Sequence, residues 1–297
     1  MNCSILYGGK GGERAVSLAS GARVAEALAS LGHTAQLYDY GGGELPEAWL
    51  SALREADAVL LALHGDNGEN GFLQAALAGA GIFHFWGSES AACALAMDKA
   101  RAKEVVKKAG VPVAMGEIWR CGEPMPQLQL PFVIKPCCGG SSVGLRIVRE
   151  PRDLAGFITS EPMLCEAYLA GREYSVGVLF DHALPVVEIL PRGGVYDYIA
   201  KYTVGGAEEL CPAPLSSEKN AALQRMAMRA FKALSLRDFA RIDFKEDVQG
   251  VPHFLEANTL PGLTKTSLFP REAAAEGLSF AALCEKMAGA AAKRKKV

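Results

Sequence analysis

The chain has no run of apolar residues long enough to cross a bilayer, which excludes a helical membrane span. Nor does it carry an excess of either charge. Lys and Arg number 31 and Asp and Glu 33, for a net charge of −2, so no electrostatic footprint points to nucleic acid or to an anionic membrane. A small-molecule substrate is the expectation that remains. The start, Met1 into Cys3 to Tyr7, lacks the basic residues and apolar stretch of a secretion signal. The 8 cysteines are scattered, without a CxxC pair or a Cys/His metal spacing, and are read as reduced thiols of a cytoplasmic protein. No internal repeat or low-complexity segment is present, and Lys293 to Lys296 reads as a solvated tail.

What the sequence does have is length and apolar content: 297 residues, 50% of them hydrophobic, enough for two or three lobes with a cleft between them. Strand-like Cys3 to Tyr7, a glycine turn, an amphipathic Ala15 to Leu31 and a second strand His33 to Tyr40 open an α/β unit. Strand Ala58 to His64, a glycine loop and helical Gly71 to Ala80 form a second unit, with Ile82 to Trp86 expected as another strand. Residues 1–95 are thus expected to form a first α/β lobe. A charged helix over Met97 to Ala109 leads into a small strand-rich lobe, residues 96–173, with strands at Pro131 to Pro136, Leu145 to Val148 and Met163 to Tyr168. A third α/β lobe, residues 174–297, is expected to hold strands at Glu173 to Phe180, Val186 to Ile189 and Phe239 to Phe244. Helices are expected there over Ser217 to Leu234 and Phe280 to Ala292.

Four segments carry the chemistry. Arg241-Ile242-Asp243-Phe244 and Phe254-Leu255-Glu256-Ala257-Asn258 both read as strands, and side chains two apart on a strand share a face. Paired as a hairpin, they bring Arg241, Asp243, Glu256 and Asn258 together as an oxygen cluster suited to Mg²⁺ with nucleotide phosphate, beside an oxyanion-stabilising arginine. An ordinary ion-paired strand face fits the same residues. Lys135 ends an apolar strand before Gly139-Gly140-Ser141-Ser142-Val143-Gly144, a loop able to offer backbone N–H groups to phosphate. The lysine precedes the glycines, so this is not a Walker A loop. Glu166 and Glu173 flank the turn at Gly171 and can accept from an adenine amino group or ribose hydroxyls. Tyr196-Asp197-Tyr198 through Lys201-Tyr202 reads either as a lid that excludes water or as a surface strand. The turn Asn258 through Leu268 offers amides and hydroxyls to a carboxylate, and Gly262 permits close backbone approach.

Taken in order, several segments resemble the signatures of D-alanine:D-alanine ligases along essentially the whole chain. They are Glu13-Arg14 with Val16-Ser17, His64-Gly65 through Gly68-Glu69-Asn70-Gly71, Met97-Asp98-Lys99, Lys135 with Gly140 to Gly144, Tyr196 to Tyr202, Arg241 to Phe244, and Glu256 through Leu268. The resemblance implies an ATP-grasp fold of the α/β class, with ATP held between the central and C-terminal lobes. It implies nucleotide contacts from Lys99, Lys135, Ser141, Ser142, Glu166, Ala167, Leu169, Glu173 and Lys201. It implies magnesium ligation by Asp243, Glu256 and Asn258, with two Mg²⁺ ions expected and Mn²⁺ as a substitute. Arg241 and Gly262 would stabilise a tetrahedral intermediate, Ser267 and Leu268 would hold the second D-alanine's carboxylate, and Glu13 would take the first substrate's ammonium group with His64 near its carboxylate. Glu13, Ser141 and Tyr202 would be linked by hydrogen bonds that order the lid. The implied reaction phosphorylates one D-alanine and joins a second to it, for peptidoglycan precursor synthesis, and a homodimer is expected from the family.

Cys137-Cys138, Leu260 and Lys265-Thr266 depart from the family pattern and bear on the phosphate loop and the second-substrate site. D-serine or D-lactate as second substrate is the neighbouring alternative, with Tyr202 favouring the dipeptide. A dinucleotide-binding reading of Tyr7 to Gly12 fails on spacing, because Gly9-x-Gly11-x-x-Arg14 lacks the third glycine. The remaining histidines, His33, His84, His182 and His253, are expected to be structural or on the surface.

Overall fold

A computed structural model describes residues 1–140, 142–191 and 206–296. Of the residues singled out above, Ser141, Lys201 and Tyr202 and the segment 196–200 lie outside the described residues.

The chain begins as alternating strand and helix: β1 (Asn2–Gly8), α1 (Arg14–Ser30), β2 (Thr34–Tyr40), α2 (Glu47–Glu55) and β3 (Ala58–Ala62). The strands make a parallel sheet in the order β2-β1-β3. β3 is buried along its whole length, the pattern of a strand covered on both faces. Gly21 lets α1 lie directly on β1, since a Cβ there would fall 2.5 Å from Tyr7 Cβ. Ile82 to Trp86, expected as a strand, makes only an isolated parallel bridge between Phe85 and Val59. Two short helices, α3 (Asp66–Glu69) and α4 (Phe72–Gly79), follow β3.

The helix expected over Met97 to Ala109 is α6 (Lys99–Lys108), and a helix not expected, α5 (Ser90–Met97), precedes it. The break is at Asp98, whose side chain accepts the Arg101 amide and so starts a new helix. A second, antiparallel sheet follows in the order β4-β7-β5-β6, from β4 (Gly116–Trp119), β5 (Phe132–Pro136), β6 (Arg146–Val148) and β7 (Met163–Ala167). Its own small core is Trp119, Phe132, Ile134, Val148, Met163 and Cys165.

The third sheet is antiparallel, in the order β11-β10-β8-β12-β13, with the short β9 (His182–Ala183) beside β8 (Glu173–Leu179). Its other strands are β10 (Val187–Pro191), β11 (Ala207–Leu210), β12 (Phe239–Glu246) and β13 (Pro252–Asn258). One face packs on α7 (Ser217–Ala233), which is capped by Ser216, and on α5 and α6. Gly171 joins the second and third sheets through a turn that only glycine fits, because a Cβ there would meet Glu246 Cβ at 2.5 Å. After β13 come α8 (Leu268–Ala275) and α9 (Phe280–Lys293). Leu283, Cys284, Met287, Ala288 and Ala291 of α9 belong to the core of the first sheet, so the chain returns to where it began.

Candidate active site

β12 and β13 form the hairpin that the alternation of polar and apolar residues predicts. Arg241 pairs with Asn258 and Asp243 with Glu256, so all four lie on one face in alternate rungs, with the Ile242–Ala257 pair between them. After Asp243 the register shifts: Phe244 faces Phe254, leaving Leu255 as a bulge whose side chain lines the cleft. Asp243 is buried and fully engaged. Arg241 grips both its oxygens, at 2.9 and 2.7 Å, Ser175 Oγ donates at 2.8 Å and Asn258 Nδ2 at 3.0 Å.

The cleft runs between the second and third sheets. Lys99, Lys135, Pro136, Cys138, Gly139 and Gly140 line one side, and Asp243, Leu255, Glu256 and Glu173 the other. Lys99 Nζ lies 3.5 Å from Glu256 and donates to the Gly139 carbonyl. Ser142 stands in the left-handed region at φ 58° and Gly139 at φ +109°, so the loop between β5 and β6 turns its amides sharply. The cleft continues into a more apolar recess lined by Val133, Ile147, Ala167, Leu169 and Leu255, with Glu166 and Glu173 at its polar edge. Lys245 Nζ holds Glu173 at 2.8 Å.

Glu166 is 3% exposed and takes a lysine on each oxygen: Lys135 at 2.5 Å on Oε1 and Lys103 on Oε2. Burial pushes its carboxyl up, but the charges of Lys135 and Lys103 more than reverse this and leave it at about 2. Burial, then the like charge of Lys135, lowers Lys103 to about 8.

Across the cleft mouth, the loop after β13 is fastened to the first lobe. Arg23 donates to the carbonyls of Leu263 and Thr264, at 2.9 and 2.5 Å. His64 is buried, and its Nδ1 meets the Leu260 carbonyl at 3.0 Å; since a carbonyl only accepts, Nδ1 carries the proton. Nε2, 3.0 Å from Ser20 Oγ, therefore accepts, in keeping with burial that lowers the His64 pKa. Both ring nitrogens are thus occupied by the scaffold. Glu69 accepts from the Gly65 and Leu260 amides, and burial, helped by nearby Glu13, raises its carboxyl to about 7. Glu13 lies against Gly65, where a Cβ would fall 2.4 Å from its Oε2. A Cβ at Gly262 would fall 2.6 Å from Ser267 Oγ, and Ser267 Oγ accepts the Thr264 amide at 3.0 Å. Ser267 and Leu268 open α8 at the edge of this loop, the Ser267 amide donating to the Thr264 carbonyl at 3.2 Å.

Among the described residues no group of three or more His, Cys, Asp or Glu side chains gathers to hold a metal ion. The set at the hairpin is different in kind: two carboxylates and an amide in register, the hard oxygens that Mg²⁺ takes alongside phosphate and water. The residues present fit that ion.

Residues 105–288 match the family model described as the D-ala D-ala ligase C-terminus. Over 289 residues the chain is 38% identical to the D-alanine–D-alanine ligase of Methylacidiphilum infernorum, covering 96% of this chain and 93% of that one. The enzyme of the same name from Oleidesulfovibrio alaskensis is 41% identical over 305 residues, covering 97% and 95%. The chain belongs to the D-alanine–D-alanine ligase family. Solved members share its ATP-grasp fold. The Bacillus anthracis D-alanine–D-alanine ligase complexed with ATP superposes with a TM-score of 0.85 at 26% identity, covering 100% of this chain and 98% of that one. The VanG D-Ala:D-Ser ligase of Enterococcus faecalis does so at 0.84 and 28%, covering 98% and 99%.

Within this family member the cleft brings together Lys99, Lys135, Ser142, Glu166, Ala167, Leu169, Glu173, Asp243 and Glu256, with Asn258 beside them. Glu13, His64, Gly262, Ser267 and Leu268 lie at or behind the loop on the first-lobe side. Sequence reasoning missed two residues. Lys103 follows Lys99 by one helical turn, a spacing that does mark a shared face. Glu69 stood within a quoted motif but was given no role.

Proposed function

We propose that this ligase joins two D-alanine molecules to D-alanyl-D-alanine at the expense of ATP, with the three lobes dividing the work. The observation that carries the reading is the convergence of Lys99, Lys135, Asp243, Glu256 and Asn258 on one cleft beside a glycine loop. ATP is assigned to the space between the second and third sheets, its base in the recess edged by Glu166 and Glu173. Asp243, Glu256 and Asn258 would hold magnesium, which supplies positive charge to phosphate oxygens when bound. Lys135 and Lys99 face that charge from the other wall.

The first D-alanine is assigned to Glu13 and the loop at Gly262. Its carboxylate attacks the γ-phosphate, giving an acyl phosphate and ADP. The amine of the second D-alanine, once deprotonated and held by its carboxylate at Ser267 and Leu268, attacks the acyl carbonyl and phosphate departs. Arg241 faces the developing oxyanion, its orientation fixed by the two-pronged grip on Asp243. The lid residues Ser141, Lys201 and Tyr202 keep their proposed roles in covering this chemistry. Cytoplasmic residence and a homodimer remain part of the proposal.

The likeness to a D-Ala:D-Ser ligase supplies a second reading, D-serine as the second substrate. ADP release with Mg²⁺ATP and D-alanine, repeated with L-alanine and with D-alanine plus D-serine or D-lactate, separates them when products are identified by mass. D-alanine-dependent ADP release with the dipeptide as product supports the first reading. A mixed D-alanyl-D-serine product in preference to it would replace that reading with the second.

A further inference from the structure

Two ammonium groups share one carboxylate inside the protein. Lys103 and Lys135 are 5% and 8% exposed, Glu166 3%, and each carboxylate oxygen takes one lysine. A buried carboxylate needs one cation for neutrality, so one positive charge is in excess, a costly arrangement in an interior. The two lysines are not equivalent. Lys103 sits on α6 and lies behind Glu166, lining the outer groove between α6 and β4 rather than the cleft. Lys135 lines the cleft itself, within reach of the glycine loop, Asp243 and Glu256.

Among the described residues, Lys135 makes its ion pair with Glu166. With nucleotide bound, it is required at a phosphate, and leaving Glu166 would strand a buried carboxylate unless another cation stayed behind. We propose that Lys103 is a positioning residue for nucleotide binding: it stays on Glu166 as its permanent counter-ion and so frees Lys135 to pass to a phosphate of ATP. The inference rests on the nucleotide-binding reading above. It predicts that the excess positive charge is matched by the ligand, which makes the pair a charge-poised receptor for phosphate.

The test is ATP affinity, measured by calorimetry in the full-length protein for the wild type, Lys103→Met, Lys103→Arg and the double variant Lys103→Met/Glu166→Gln. Without Lys103, Glu166 retains Lys135, and ATP binding is expected to weaken about tenfold. Arginine keeps the charge and is expected to stay within about threefold of the wild type. The double variant decides the matter. Glutamine keeps a carbonyl acceptor for the adenine amino group but no longer holds Lys135, so affinity is expected to recover at least several-fold over Lys103→Met. A merely structural Lys103 gives the opposite order, the double variant binding worse than the single. If Lys103→Met fails to fold, Lys103→Gln, which can donate to Glu166 without charge, is expected to show the same tenfold loss and the same rescue. Wild type that does not bind ATP overturns the nucleotide reading itself. Wild type that binds, with Lys103→Met unchanged or without rescue, overturns this inference alone.

Discussion

Arg241, part-buried, and Glu272, fully buried, are two ionisable side chains near this site that behave differently. Arg241 has its guanidinium fixed on Asp243, an orientation that the proposed oxyanion role would use without reorganising. Arg241→Met is expected to lower kcat by about 10²–10³-fold, as loss of an oxyanion donor does elsewhere. Steady-state kinetics with D-alanine check it, the nucleotide KM moving far less. Glu272, on α8, is fully buried, and among the described residues neither carboxyl oxygen completes a hydrogen bond. Burial raises its carboxyl to about 8; Arg241 and the nearby Gly177 backbone pull it down and Asp243 pushes it up. The folded form therefore keeps its proton over a range in which the unfolded chain, near the ordinary carboxyl value of about 4.5, has lost it. Stability from this group is full below about 4.5 and is lost as pH rises toward about 8. Urea unfolding of Glu272→Gln between pH 5 and 8 is expected to show a shallower fall than the wild type; an unchanged slope would remove Glu272 as the cause.

Single elements make close contacts that the wider fold depends on. α1 touches β1 through Gly21, with Tyr7 Cβ and ring carbons within 2.5 to 2.8 Å of where a methyl would stand. Gly21→Ala is expected to cost about 1–3 kcal/mol by overpacking despite alanine's better helix propensity. Denaturant midpoints measure this, and a stabilised variant would contradict the packing described. The β12–β13 hairpin was legible in the sequence because a two-residue period puts Arg241 with Asp243 and Glu256 with Asn258 whatever surrounds them. Lys135 was legible as a phosphate-binding candidate from its place at the end of an apolar strand, and Lys99 only through the family resemblance. Less so was the bulge at Leu255, which depends on how two strands meet and leaves no mark in either alone. α5 escaped notice because Ser90 to Met97 is almost all small or apolar and has no polar face to mark a helical period. α8 escaped notice because eight residues after a long turn carry too little periodicity to stand out. Lys103 reads as surface charge on a lysine-rich helix until β7 is laid against that helix and delivers Glu166.

At the scale of the molecule, the first sheet and the loop after β13 are one structure. The core beneath β1 and β3 includes Leu260, Leu263 and Phe269 as well as five residues of α9. Leu283→Ala, at a fully buried position on α9, is expected to cost about 2–5 kcal/mol. Because that helix packs on the first lobe, the loss should appear as faster hydrogen exchange in β1 and β3, more than 200 residues earlier in the sequence. Exchange confined to α9 would show the two to be energetically separate. During synthesis this architecture imposes an order. The opening strands emerge from the ribosome long before the helix that covers them, so a nascent first sheet waits with one apolar flank bare. The first-lobe wall of the proposed substrate site can therefore be completed only after α9 has emerged and packed against it.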